Sequence, residues 1–139
     1  MGSMTAEPLA GDHGKLIDGW IKHAENGVRS DGQVSGETFW AHEMMSKMCQ
    51  IDPEAAWEVI QRIVERVDDE AVLAFVGSGP LEDLLAQHGS GFVDRVVGKI
   101  ESDKKFAEVA SSIWQNVIAA DVWMRLQKAL GQTPPGLGL

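Results

Sequence analysis

Gly77-Ser78-Gly79-Pro80-Leu81-Glu82-Asp83-Leu84-Leu85-Ala86-Gln87-His88-Gly89, near the middle of the chain, reads as a short helix with its own punctuation. Proline suits a first helical turn, where its missing N–H costs nothing, so Pro80 opens the helix with Gly79 at the N-cap. Glu82 then takes the third helical position, from which a carboxylate reaches back to free N–H groups. Asp83 adds a second negative charge against the positive end of the helix dipole. Leu81, Leu84, Leu85 and His88 follow at spacings of three, four and seven and so share one face. Gly89 stands where a left-handed residue commonly ends a helix.

Helical periodicity continues on both sides of this stretch. Leu16, Ile17, Trp20, Ile21 and Ala24 mark a helix over about 14–26, stopped by Asn26-Gly27 and followed by a polar loop to Gly36. A two-stranded hairpin in that loop is conceivable but lacks apolar alternation. A second helix covers about 36–50, with Trp40, Ala41, Met44, Met48 and Ile51 on one side and His42 and Cys49 near the other. Asp52-Pro53-Glu54 is a strong start signal, with Asp as N-cap and Pro at the first helical position. The helix it opens runs to about Arg66. Asp68 or Asp69 then caps a short helix closed by Gly77, and Phe92, Val93, Val96, Val97 and Ile100 trace another after Gly89.

From Lys104 to Val117 the apolar face is Phe106, Val109, Ala110, Ile113, Trp114 and Val117; from Asp121 it is Val122, Trp123, Leu126 and Leu130. At 100° per residue these stripes lie about half a turn apart, so a kink or break is predicted near Ala119-Ala120, with Asp121 as cap. An unbroken helix between two layers is the competing picture. Gly131 ends the run. The expectation is an all-α fold of about eight helices, either an irregular antiparallel bundle or a short stack of helix pairs. The helical domain covers 14–131, between a loose 1–13 (with Met1-Gly2-Ser3 as an expression scar) and a flexible tail over 132–139. Most of the five tryptophans should be buried.

The Gly-Pro-Leu-Glu-Asp-Leu-Leu segment with His88-Gly89, together with Trp40-Ala41, Asp52-Pro53-Glu54 and the late pair Trp114 and Trp123, resembles a family of small bacterial proteins of unknown function. The resemblance spans most of residues 15–130. It implies no activity and no cofactor.

Composition narrows the functional classes. At 139 residues the chain fits one domain that needs no metal or disulfide to supply a core. The lone Cys49 suits a reducing compartment, and neither a membrane-spanning run nor a signal pattern is present, so a cytoplasmic location is expected. The net charge is −9, and −7 of it lies between Asp52 and Asp83, where nine acids face Arg62 and Arg66. Nucleic acid and anionic membrane are therefore disfavoured as partners, while a basic protein partner fits.

No catalytic constellation is visible. His88 is a titratable ring on a leucine face, near Glu82 and Asp83, although a histidine in a last helical turn is also favoured by the dipole alone. The histidines at 13, 23, 42 and 88 lack metal-ligand spacing, so no metal or cofactor is expected. Cys49 and His42 lie seven residues apart on one helix face, which leaves a nucleophile open beside the simpler reading of a buried thiol. Trp40, Met44, Met45 and Met48 form either an adaptable partner groove or core filling. The leading expectation is a protein-interaction module, accessory or immunity-like, using some of His88, Glu82, Asp83, Trp114 and Trp40. A small-molecule binder or hydrolase with a cleft around His88, and a homo-oligomeric structural protein, are the alternatives.

Overall fold

The computed structural model describes residues 13–29 and 36–131. Among these the chain is helical, without strands: α1 (His13–Arg29), α2 (Phe39–Ile51), α3 (Pro53–Arg66), α4 (Glu70–Val76), a π-helical turn (Gly77–Leu81), α5 (Glu82–Ser102), α6 (Lys104–Ala110) and α7 (Ala120–Ala129). Because α4, the π turn and α5 are joined end to end, with a kink at His88 inside α5, there are six helical runs among the described residues rather than eight. The loop over 30–35, the N-terminal 1–12 and the tail over 132–139 lie outside the described residues.

The caps on the N-terminal half form as their sequence dictates. Asp52, the sole residue between α2 and α3, donates its N–H to the Met48 carbonyl and accepts from the Ala55 N–H through its side chain. Asp69, of the two candidates, caps α4 by accepting from Ala71 and Val72. Asp103 does the same for α6 through Phe106. These side chains satisfy N–H groups that a helix start leaves without partners. Leu16, Ile17, Trp20 and Ala24 of α1 are buried as their spacing requires. The helix runs past Asn26-Gly27 to Arg29, however, with Gly27 buried in its last turn. An interior glycine costs only about 1 kcal/mol, which the packing of one amphipathic face readily exceeds.

The central stretch departs most from its local signals. Pro80 does not open a helix; it lies inside one. A proline there has no N–H to donate, and its ring crowds the carbonyl four residues back. The backbone accommodates it by widening, so that the Glu82 N–H reaches back five residues to the Gly77 carbonyl. Cys49 of α2 donates its thiol to the Pro80 carbonyl at 3.4 Å. Leu81, Leu84 and Leu85 are fully buried, as expected. The helix that holds the leucines does break at His88, at φ −134° and ψ 32°, but Gly89 is not left-handed, and a second helical segment runs on from the kink to Ser102.

Gly77 and Gly89 serve tertiary contact instead of capping. A methyl group on Gly77 would collide with the Val109 carbonyl oxygen of α6, and one on Gly89 would press on both Val122 methyls of α7 at 3.2 Å. The π turn packs against α2, α3 and α6 besides the two helices it joins, and α5 lies against α2, α3, α6 and α7. The leucine segment is thus the centre of the fold.

A break does separate the last two helices, but it is longer than predicted. α6 stops at Ala110, and residues 111–119 form turns before α7 begins at Ala120 with Ala119, not Asp121, at the N-cap. Ile113 and Ile118 point into the core, whereas Trp114 and Val117, expected on the apolar face, are 69% and 79% exposed. Of the tryptophans only Trp20 and Trp57 are buried; Trp123 is half-buried, and Trp40 and Trp114 are exposed. Gly131, in the left-handed region at φ 75°, ends α7 as expected.

Gly77→Ala should destabilise the chain by about 1–3 kcal/mol, the usual cost of forcing atoms into a packed site. Gly98→Ala, in the same helix with open space beside it, should be neutral or stabilising by up to about 1 kcal/mol. Urea unfolding of both variants tests this; equal midpoints would remove Gly77 from its central role.

Candidate functional site

A cleft of about 800 Å3 runs along α2 and is lined on its other side by Asp83 and Gln87 of α5. Phe39, Trp40 and Met44 form its apolar rim, and His42, Glu43 and Lys47 supply charge or titratable groups. The sequence placed Trp40, Ala41, Met44, Met48 and Ile51 on one side of α2, and of these the structure buries only Ala41 and Met48. The helix turns Ala41, Met45, Met48 and Cys49 inward, leaving Phe39, Trp40 and Met44 about 40% exposed and Ile51 68% exposed. α2 carries apolar residues all round, so periodicity could not decide which side would be covered. Close approach decided it. Ala41 sits against Gly19 of α1, and the benzo edge of Trp40 lies across the same glycine, where no side chain could fit beneath it.

At the N-terminal end of the groove, three rings meet. His42 stacks on His23 of α1 at 5.3 Å and 27°, and Phe39 lies 5.5 Å from His42. His23 is buried, with Nδ1 hydrogen-bonded to the Thr38 hydroxyl at 3.0 Å. Burial and the neighbouring His42 hold its pKa below the ordinary imidazole value. Across the groove, half-buried Asp83 has no ion pair or hydrogen bond among the described residues. Burial, then the charge of Glu82, pushes its pKa up, and His42 alone acts in the opposite direction.

The other expected site residues fall elsewhere. Glu82, adjacent in sequence to Asp83, turns to the 111–118 segment: Oε1 accepts from the Trp114 backbone N–H at 3.0 Å, and Oε2 from the Asn116 side-chain amide at 2.6 Å. Asn116 is left-handed at φ 42°, so one carboxylate fixes a turn that presents Trp114 to solvent. His88 hydrogen-bonds through Nε2 to the Gln50 carbonyl at 2.9 Å, satisfying an oxygen in the last turn of α2. The structure therefore joins Trp40 with Asp83, and Glu82 with Trp114, while His88 lines neither the groove nor that turn. Sequence reasoning missed Phe39 and Lys47. Their spacing of four and three from Glu43 and Met44 was the available signal, in a helix whose Trp40 and Met44 were left open between a partner groove and core filling.

Cys49 is fully buried, and desolvation with the charge of Asp83 pushes its pKa to about 12. It lies inside the core while His42 is exposed, so the two do not form a nucleophile and base. No group of three or more His, Cys, Asp or Glu among the described residues could hold a metal ion. No described helix is long and apolar enough to cross a membrane.

Much of the acidic 52–83 stretch is engaged within the fold. Asp52 and Asp69 are caps, Glu54 makes a bidentate pair with Arg95 at 2.7 and 2.8 Å, and Glu58 pairs with Arg62 and Asp68 with Lys105. Glu82 holds the Trp114 turn. Asp83 stands apart because it is half-buried without such a role.

These features define an all-helical protein with an apolar-rimmed, acid-lined surface groove. Residues 28–133 match a family of unknown function, DUF6869, and the chain belongs to that family. No curated protein and no solved structure matches it.

Two outcomes are expected from the geometry. Glu82→Ala should speed amide hydrogen exchange at Trp114 by at least about tenfold and lower stability by about 1–2 kcal/mol; unchanged exchange would mean that the turn holds itself. At about pH 8 only on the order of one Cys49 in ten thousand is thiolate, so alkylation of the native chain should be slow and track unfolding. Fast labelling under native conditions would contradict the buried, Pro80-bonded thiol.

Proposed function

We propose that this chain is a protein-interaction module, of the accessory or immunity-like kind, which receives a cationic segment with an apolar anchor in the groove between α2 and α5. The observation that carries the reading is Asp83. A carboxylate whose pKa is raised by burial costs stability once ionised. The sign comes from linkage: stability is full below the unfolded carboxylate value of about 4 and falls as pH rises through the higher folded value. A charge held at such a cost, beside exposed Phe39, Trp40 and Met44, suits a site completed by an external cation. An ammonium or guanidinium entering there would meet Asp83 and Glu43 and could lie over the Trp40 face, where cation–π attraction adds to the ion pair.

The charge of the lining agrees with this partner. With His42 neutral, Asp83 and Glu43 stand against Lys47, one net negative charge, on a protein of net charge −9. Steering over that field would make association salt-dependent. Apolar rim and half-buried charge together resemble the anchor-plus-polar arrangement of interaction hot spots.

The test is a pair of short capped peptides, lysine–leucine and glutamate–leucine, titrated into the uniformly 15N-labelled full chain. The lysine peptide should shift the Trp40 indole N–H and the Asp83 amide, and bind about tenfold more weakly at about 500 mM than at about 50 mM salt. Asp83→Asn should abolish most of that binding while raising the melting temperature. Equal binding of both peptides, or shifts confined to the Trp114 turn, would overturn the proposal.

A further inference from the structure

We propose that the groove receives a free chain terminus: a C-terminal lysine whose carboxylate is held by Lys47 and the amides beside it, whose ammonium meets Asp83, and whose apolar predecessor rests on Trp40 and Met44. The inference rests on the groove reading above and names the partner's chemistry.

The lining changes character from one end of α2 to the other. It begins with Phe39, Trp40 and Met44 and finishes with Ser46, Lys47 and Gln50. A printed contact fixes where α5 joins it. His88 hydrogen-bonds to the Gln50 carbonyl at 2.9 Å, so Gln87, the residue before it, stands at the C-terminal end of α2. A hydroxyl, an ammonium and two amides therefore gather at that end. None of these four side chains has a hydrogen bond or ion pair among the described residues. Such a set of donors suits a carboxylate, which accepts through two oxygens and about four lone-pair sites.

Asp83 precedes Gln87 by four residues in helical backbone, so the two share a face and differ by a rise of about 6 Å. The acid is thus about one helical turn from the donor end. A ligand that satisfies both needs a cation and a carboxylate at a similar separation. A C-terminal lysine carries both in one residue, on the order of 7 Å apart across six bonds when extended. The long side chains of Lys47 and Gln87 take up the small difference. The residue before the lysine lies about 3.8 Å back along the chain, on the apolar side. An internal lysine fits less well, because the chain continuing past it covers the donors of Lys47, Gln50 and Gln87 without pairing them. Glu43, one turn before Lys47 on α2, is not bonded to it. Its charge attracts the ligand's ammonium and repels its carboxylate, so its effect on a zwitterion largely cancels.

The experiment titrates the full chain with three N-terminally labelled peptides, read by fluorescence anisotropy at about 50 mM salt. One ends in leucine–lysine with a free carboxylate, the second is its amide, and the third ends in leucine–lysine–glutamate amide. The free acid should bind about fivefold more tightly than its amide, the effect of one opposite charge a few ångströms away at a high effective dielectric. Lys47→Gln should bring that ratio close to one, and Lys128→Gln, on α7 outside the groove, should leave it unchanged. In the 15N-labelled chain the Gln87 side-chain amide should shift with the free acid and stay in place with the amide. Equal binding of acid and amide overturns the inference while the groove reading stands. A glutamate amide as tight as the free acid also overturns it, because a side-chain carboxylate then serves and no terminus is read. A ratio that persists in Lys47→Gln has the same consequence. Absence of binding by all three peptides sinks the groove reading and this inference together.

Discussion

A proline inside a continuous helix is the constraint on which the rest of this structure depends. Pro80 takes away one N–H and crowds the preceding turn, and the chain answers with a π-helical turn instead of a break. That turn keeps α4 and α5 in one run and brings five helices to one place. Its inner side accepts the Cys49 thiol from α2, and Gly77 removes the side chain that would hold α6 away. Leu81, Leu84 and Leu85 take their buried positions from it. π turns recur near functional sites because they re-aim the side chains beyond them. Here the residues immediately after the turn are Glu82 and Asp83, aimed at two different faces.

Those two adjacent acids divide the outer surface. Consecutive helical residues point about 100° apart, so Glu82 reaches the turn after α6 while Asp83 faces α2. One is consumed in structure, with both oxygens accepting hydrogen bonds; the other is left half-buried without a partner among the described residues. The contrast explains why a count of acids says little about function. The charges that looked like a single acidic face are mostly caps and exposed ion pairs, each of small energetic effect. The groove owes its character to a carboxylate that was inconspicuous within that run.

The second helix shows the same divergence between local pattern and tertiary outcome. With apolar residues on nearly every side, α2 had more than one face it could bury. Gly19 and Ala41 let α1 approach on one side, and the small Cys49 admits the π turn on the other. Phe39, Trp40 and Met44 are what remains outside. The interaction surface proposed above consists of this exposed apolar rim and the half-buried Asp83 beside it. Lone surface residues such as Ile51 carry no such meaning.

The all-α class, the start of α3 at Asp52-Pro53, a cap at Asp68 or Asp69, the shared face of Leu81, Leu84 and Leu85, and the Gly131 stop were determined by the sequence alone. Each depends on neighbours within about one helical turn, where spacing and side-chain chemistry suffice. The joining of α4 to α5 through the π turn, the kink at His88, the exposed face of α2, the Trp114 turn and the pairing of His88 with Gln50 were decided only in the tertiary structure. Their partners lie far off along the chain: Gly77 against Val109, Gly19 beneath Trp40, Glu82 with Trp114, His23 against His42. A glycine reads the same whether it ends a helix or admits a neighbour. A carboxylate likewise reads the same whether it caps its own helix or another segment. Only packing distinguishes these cases, because the energy that decides between them comes from contacts across the core.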